Sequence, residues 1–308
     1  MLTMARSRYD TSEVAARLER GENVMAWIRG EEGIAGNSLS AIEYSYDAQA
    51  GSYTAALENP QLRELKEQIG TRLAAQLDAW EPFSLLEAGI GEATSLAPVV
   101  GAMRRKPRHV LGFDLSLSRL LYARQNLVAR NVDRPELFVA ELGRIPLADA
   151  SVDVVVTVHA VEPNHGREEA IVGELLRVTT RRLIMIEPSY ELGGTATRAR
   201  IERFGYVRDL PGVLRRLGVE TFSVERWGLD ANPENEAAII VVEKTEERPS
   251  TKPLFVSPIS GKTLARRPDC WYCKEDGHAF PIVSGVACLT AQSAIIASKL
   301  EQFSRGAE

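Results

Sequence analysis

The chain has 308 residues, 44% of them hydrophobic and 26% charged, the balance of an ordinary globular protein and not of a disordered or fibrous one. Its 37 lysines and arginines face 42 aspartates and glutamates, a net charge of −5, which argues against a protein whose main task is to grip nucleic acid by charge. No apolar run reaches the roughly 18 residues of a membrane span, the first twenty residues hold no signal-type apolar stretch, and an odd number of cysteines makes no disulfide framework, so the expectation is a cytoplasmic chain with reduced thiols, no membrane and no nucleic-acid partner.

Residues 11–29 and 60–80 carry apolar side chains at helical spacing, the second run through Leu62, Leu65, Ile69, Leu73 and Leu77. Short apolar runs then alternate with helical ones. Buried strands are expected at 84–87, 109–114, 136–140, 152–158 and 182–187, with helices at 92–103, 118–130 and 167–178. A helix at 210–217 and strands at 220–227 and 237–243 complete the series. Such alternation specifies a parallel sheet with helices on both faces, because each crossover must cover the sheet it leaves.

The expected fold class is therefore α/β, doubly wound, with a mostly parallel seven-stranded sheet over residues 81–246. A helical N-terminal cover over 1–80 precedes it. At 246–253 the texture changes to EERPSTKP, which reads as a linker, and 247–308 is expected to form a small β-rich domain with a terminal helix.

The chemistry concentrates at LLEAGIGEATS, residues 85–95. A strand ending at Glu87 delivers Gly89 and Gly91 to the carboxyl edge of the sheet, where open α/β folds hold their ligands. A dinucleotide fingerprint would place a third glycine at position 94, over which the pyrophosphate sits; Thr94 stands there instead, so a ligand without phosphate fits better. Asp114 ends the next strand, at the distance downstream where an acid bonds a ribose diol. An acid two residues before a helix start can also serve merely as a cap.

Taken together, EAGIGEAT, GFDLS, AELGRIPLADASVDVV and VTVHAVEP resemble, in order, the four motifs of the class I S-adenosylmethionine-dependent methyltransferases, whose Rossmann-like fold the resemblance implies over about residues 40–245. YSYDAQAGSYTAAL resembles the segment that often closes over the cofactor in small-molecule members, and puts Tyr53 at the cofactor. The resemblance further implies that Glu87, Gly89 and Gly91 line the methionine and ribose portion, that Asp114 bonds the ribose with Leu115 beside it, that Glu141 and Leu142 flank the adenine, and that His159 borders the transfer site. Where the third motif usually has Gly-Asp, this chain has Ala140-Glu141.

The implied cofactor is S-adenosylmethionine and the implied reaction is methyl transfer to an oxygen, nitrogen or carbon of a small molecule. Methylation of RNA or protein, and a non-catalytic cofactor-binding role, are the alternatives. Glu162 and His165 after the fourth strand, and Glu187 and Tyr190 after the fifth, are the candidates to take a proton from a substrate hydroxyl or amine. Arg198, Arg200, Arg203, Arg208, Arg215 and Arg216 gather between strands five and six. They form a solvated helix face or, since guanidinium forks suit anions, the seat of an anionic substrate.

The last segment resembles the small zinc-ribbon-like proteins that activate some methyltransferases, but Ser257 and Ser260 occupy the places of a cysteine pair. Hydroxyls are poor zinc ligands, so a metal-free β-rich appendage packed by Trp271, Phe280 and Ile282 is expected although Cys270, Cys273, His278 and Cys288 remain. Its role stays open between closing the cleft, pairing two copies as a homodimer and recruiting a partner.

Overall fold

The computed structural model describes residues 8–132, 134–244 and 252–303, with residue 303 described by its backbone only. The first seven residues of the cover and positions 246–251 of the expected linker lie outside the described residues.

Periodicity at 11–29 resolves into two helices, α1 (Thr11–Glu19) and α2 (Val24–Glu32), because Gly21 turns at positive φ and Asn23 caps the second. The aromatic segment that follows is helical too, as α3 (Leu39–Asp47) and the short α4 (Ser52–Ala56). Asn59 caps α5 (Pro60–Asp78), whose proline stands at the first turn where no amide hydrogen is needed.

The sheet domain then runs β1 (Ser84–Ala88), α6 (Leu96–Ala102), β2 (His109–Asp114), α7 (Leu117–Val128), β3 (Glu136–Val139), β4 (Val152–Val158), α8 (Glu168–Val178) and β5 (Thr179–Pro188). After α9 (Thr195–Phe204) and α10 (Leu210–Arg216) come β6 (Phe222–Arg226) and β7 (Ala237–Glu243). Helix α9 is not expected from the pattern. Only Thr197 and Ile201 of its ten residues are buried, one turn apart among arginines.

The seven strands lie in the order β6-β7-β5-β4-β1-β2-β3, with only β7 antiparallel to its neighbours. β1 sits at the centre, Leu86 pairing with Leu111 of β2 and Val155 of β4. One face packs Ile171, Val172, Leu175 and Val213 against the sheet; the other packs Leu73, Leu77, Leu96 and Leu120. This is the expected α/β architecture, with α5, α6 and α7 on the second face.

The C-terminal segment extends that sheet. Strands β8 (Ala265–Arg266), β9 (Cys270–Cys273), β10 (His278–Val283), β11 (Val286–Cys288) and β12 (Ile295–Ile296) form antiparallel pairs, followed by α11 (Leu300–Phe303). β11 also pairs parallel to β3, Ala287 opposite Phe138. Phe255 stacks edge-on against Phe138 at 5.2 Å and lies 4.8 Å from Trp271, so the segment shares the core of the sheet. Ser257 and Ser260 both donate to Asp276, at 2.7 and 2.6 Å. Burial raises that carboxyl, and the two hydroxyls more than offset it, leaving it at about 2. Among the described residues no group of three His, Cys, Asp or Glu could hold a metal ion, and no helix is long and apolar enough to cross a membrane.

Candidate active site

Above the carboxyl end of β1 lies a cavity of about 530 Å³, within the range of sites for small ligands. Its floor is the turn between β1 and α6. Gly89, Gly91 and even Ala93 adopt positive φ there, at 72°, 54° and 56°, and the helix consequently starts only at Leu96, four residues later than the spacing predicts. A Cβ on Gly89 would fall 2.5 Å from that of Ala160, and one on Gly91 2.5 Å from the Arg119 guanidinium. Positive φ favours glycine at both, and at Gly89 the Ala160 methyl leaves no room for a side chain, whereas at Gly91 only the movable tip of Arg119 stands in the way.

Asp114 is held beside this turn. Its Oδ2 accepts from the Gly91 amide at 2.9 Å and its Oδ1 from that of Ser116 at 3.0 Å. The cap of α7 is Ser116 itself, whose hydroxyl accepts from Arg119. Asp114 therefore ties two backbone turns together while lining the cavity, and each carboxylate oxygen retains a lone pair for a further donor.

Glu87 also lines the cavity, 3% exposed, with Oε2 lacking any partner. Burial pushes it up to about 8, against the pull of Lys66. Lys66, from α5, donates to Ser95 Oγ at 3.2 Å and is itself held low by burial.

The cover is fastened to the same turn. Glu92 accepts from the amides of Gly51 at 3.0 Å and Thr54 at 2.7 Å, supplying the cap that α4 lacks. Ser116 donates to Asp47 of α3 at 2.6 Å. Arg119, 8% exposed, lies over the rings of Tyr46 and Tyr53 at 5.1 and 4.6 Å. Tyr44 points the other way, into the N-terminal cluster with Tyr9.

At the end of β4, His159 takes positive φ and brings its Nδ1 to 3.2 Å from Glu162, with Asn235 3.4 Å from both. Burial lowers the imidazole, but the bond and charge of Glu162 outweigh it and the pKa stands above its ordinary value.

The comparisons with known proteins bear on this cavity. Residues 85–182 match a family described as a methyltransferase domain. The likeness is confined to that stretch. It spans β1 to the start of β5 and so contains the glycine turn, Asp114 and the His159–Glu162 pair. The malonyl-[acyl-carrier protein] O-methyltransferase of Methylovorus sp. (strain MP688) is 32% identical over 141 residues, 44% of this chain and 45% of that protein. The chain thus spans about half the length of the curated relative it matches. A candidate O-methyltransferase from Nostoc punctiforme PCC 73102 shares the fold with a TM-score of 0.52 at 12% identity, over 76% of this chain and 68% of that one. Magnesium protoporphyrin IX methyltransferase from Synechocystis PCC 6803, solved with bound S-adenosylhomocysteine, aligns with a TM-score of 0.46 at 16% identity, over 77% of this chain and all of that one.

Of the site residues expected from sequence, Tyr53, Glu87, Gly89, Gly91, Asp114, Leu115, Leu142, His159 and Glu162 line the cavity. Four others lie outside its lining. Glu141 faces Arg167 at 3.4 Å, and His165, half exposed, pairs with Glu168. Tyr190 donates to Glu202 at 2.7 Å on the surface. Glu187 is buried under the loop after β4, accepting from the amides of Ala160, Val161 and Glu162 at 3.1 to 3.2 Å. Its geometry is that of a loop anchor, and neither it nor His165 nor Tyr190 is brought to the cavity lining.

Sequence reasoning missed Lys66, Arg119, Trp227 and Asn235 on the lining. A lysine or arginine turning inward from a helix otherwise rich in them leaves no local signal.

Proposed function

We propose that the protein transfers a methyl group from S-adenosylmethionine to a small molecule bound in this cavity. The observation that carries the reading is the Asp114 carboxylate set against a side-chain-free turn at the mouth of β1 and β2. The residues present fit the cofactor: the unpartnered Glu87 Oε2 suits its ammonium, Lys66 its carboxylate, Asp114 its ribose hydroxyls, and Leu115 and Leu142 the faces of its adenine. When bound, it supplies an electrophilic methyl, so the protein's part is chiefly orientation, worth roughly 7 to 11 kcal/mol in favourable cases.

Tyr46 and Tyr53, set against Arg119, line the cavity on the side of the cover. The His159–Glu162 pair accepts the proton of a hydroxyl or amine nucleophile at the end of β4, with Asn235 fixing its geometry. Arg200, a lining residue that makes no ion pair among the described residues, suits a substrate bearing an anionic group.

Calorimetry with S-adenosylmethionine, S-adenosylhomocysteine and NAD on the wild type and Asp114→Ala tests the reading. The first two should bind, NAD should not, and the variant should lose at least tenfold in affinity. Equal affinity in the variant would remove the ribose assignment, and no binding of either sulfur nucleoside would end the proposal.

A further inference from the structure

The arginines between β5 and β6 separate in the fold. Arg198 donates to the backbone oxygens of Tyr190 and Glu191, Arg208 lies over Tyr190, Arg215 over Phe222, and Arg216 pairs with Glu169 and Asp209. All four are exposed, as is Arg203. Only Arg200 of the six lines the cavity.

Arg200 makes no ion pair among the described residues. Its Nε is buried with no hydrogen-bond partner, and its Cζ rests 4.8 Å from the centre of the Phe204 ring. Nearby carboxylates are committed elsewhere: Glu162 to His159, Glu202 to Tyr190, Glu191 to Ser189 and the Asp209 amide. The Tyr206 phenol, a hydrogen-bond partner of Arg200, is pushed up to about 12 by burial first and Glu162 second, with the charge and hydrogen bond of Arg200 opposing. It stays neutral at physiological pH and supplies no counter-charge.

The helix that presents Arg200 is fixed in place. Glu236 accepts from the Gly194 amide at the start of α9, and its own amide donates to Thr197 Oγ1 at 3.2 Å. This locks α9 to the loop that carries Asn235. Elsewhere the cavity presents Leu39, Ile42, Trp227 and Leu229 beside the neutral amides of Gln49, Asn164, Asn232 and Asn235, and Trp227 is pinned by Arg72, 4.1 Å above its ring. Lys66 and Arg119 belong to the glycine-turn side and are taken up by Ser95 and the two tyrosines. What remains for the substrate is a wall of apolar side chains and neutral amides, the His159–Glu162 pair, and one guanidinium, a fork whose parallel N–H groups match a carboxylate.

Building on the methyl-transfer reading, we propose that the substrate is an apolar molecule carrying a single carboxylate, and that Arg200 is the residue that binds this group. A diphosphate would call for several cations or a metal where the substrate side offers one.

The test uses the full chain saturated with S-adenosylhomocysteine and two probe pairs, octanoate with octanamide and 3-phenylpropanoate with its amide, read by calorimetry. Wild type should bind at least one acid tenfold or more tightly than its amide. Arg200→Gln should erase the preference, Arg200→Lys should keep part of it, and the exposed Arg208→Gln should keep it whole. Affinity for S-adenosylhomocysteine in each variant reports that the cavity is intact. Failure of the wild type to prefer either acid, or a preference that survives Arg200→Gln, overturns the proposal. Failure of the nucleoside to bind wild type is a separate result and strikes the methyl-transfer reading instead.

Discussion

Glu87 shows how one buried carboxyl sets a pH dependence for the whole chain. In the unfolded chain it loses its proton near its ordinary 4.5, whereas burial in the fold, against the pull of Lys66, holds it to about 8. Between those values the unfolded state sheds a proton that the folded state keeps. Stability is therefore full below pH 4.5 and falls as pH rises to 8, by up to about 1.4 kcal/mol per pH unit from this group. Melting temperature should drop between pH 5 and pH 8 in the wild type and distinctly less in Glu87→Gln; parallel profiles would contradict the assignment. Glu187, raised by burial to about 7, acts in the same direction. Gly89, Gly91 and Asp114 were legible because turn geometry and a strand-end acid recur at fixed spacing. Arg119 and Lys66 were not, since which long side chain folds inward is decided by elements dozens of residues away.

Helix α4 is five residues long and has no cap of its own, so its existence depends on Glu92 from the far side of the cavity. Losing a cap of this kind costs about 0.5 to 2 kcal/mol. In Glu92→Ala, amide exchange across residues 51–56 should quicken roughly tenfold while β1, β2 and β4 keep their protection, as followed by hydrogen exchange. Uniform quickening of the sheet would show that Glu92 supports the core and not the cover. Most sheet strands and the larger helices could be read from periodicity, because a strand buried on both faces is a continuous apolar run. α9 escaped because its two buried residues, Thr197 and Ile201, are too few to make a stripe. The break at Arg20–Asn23 was written in Gly21 and Asn23, but the apolar spacing on either side conceals it.

For the molecule as a whole, the feature with the widest reach is the pairing of β11 with β3. The composition shift after residue 246 suggests a separate unit, and nothing local in Val286–Cys288 points to a partner about 150 residues earlier. Because Phe255 and Phe280 belong to the same core as Leu86 and Phe113, heating should melt the chain in a single calorimetric transition. Phe255→Ala should lower its stability by about 3 to 5 kcal/mol without splitting that transition. Two resolved transitions in the wild type would show that the segment folds by itself. The same pairing constrains biosynthesis. On the ribosome β3 is made long before β11, so for the length of that synthesis the nascent sheet presents an unpaired backbone of the kind that recruits wrong strands. Until the last of those three residues clears the exit tunnel, that edge of the growing sheet stays open to such pairing.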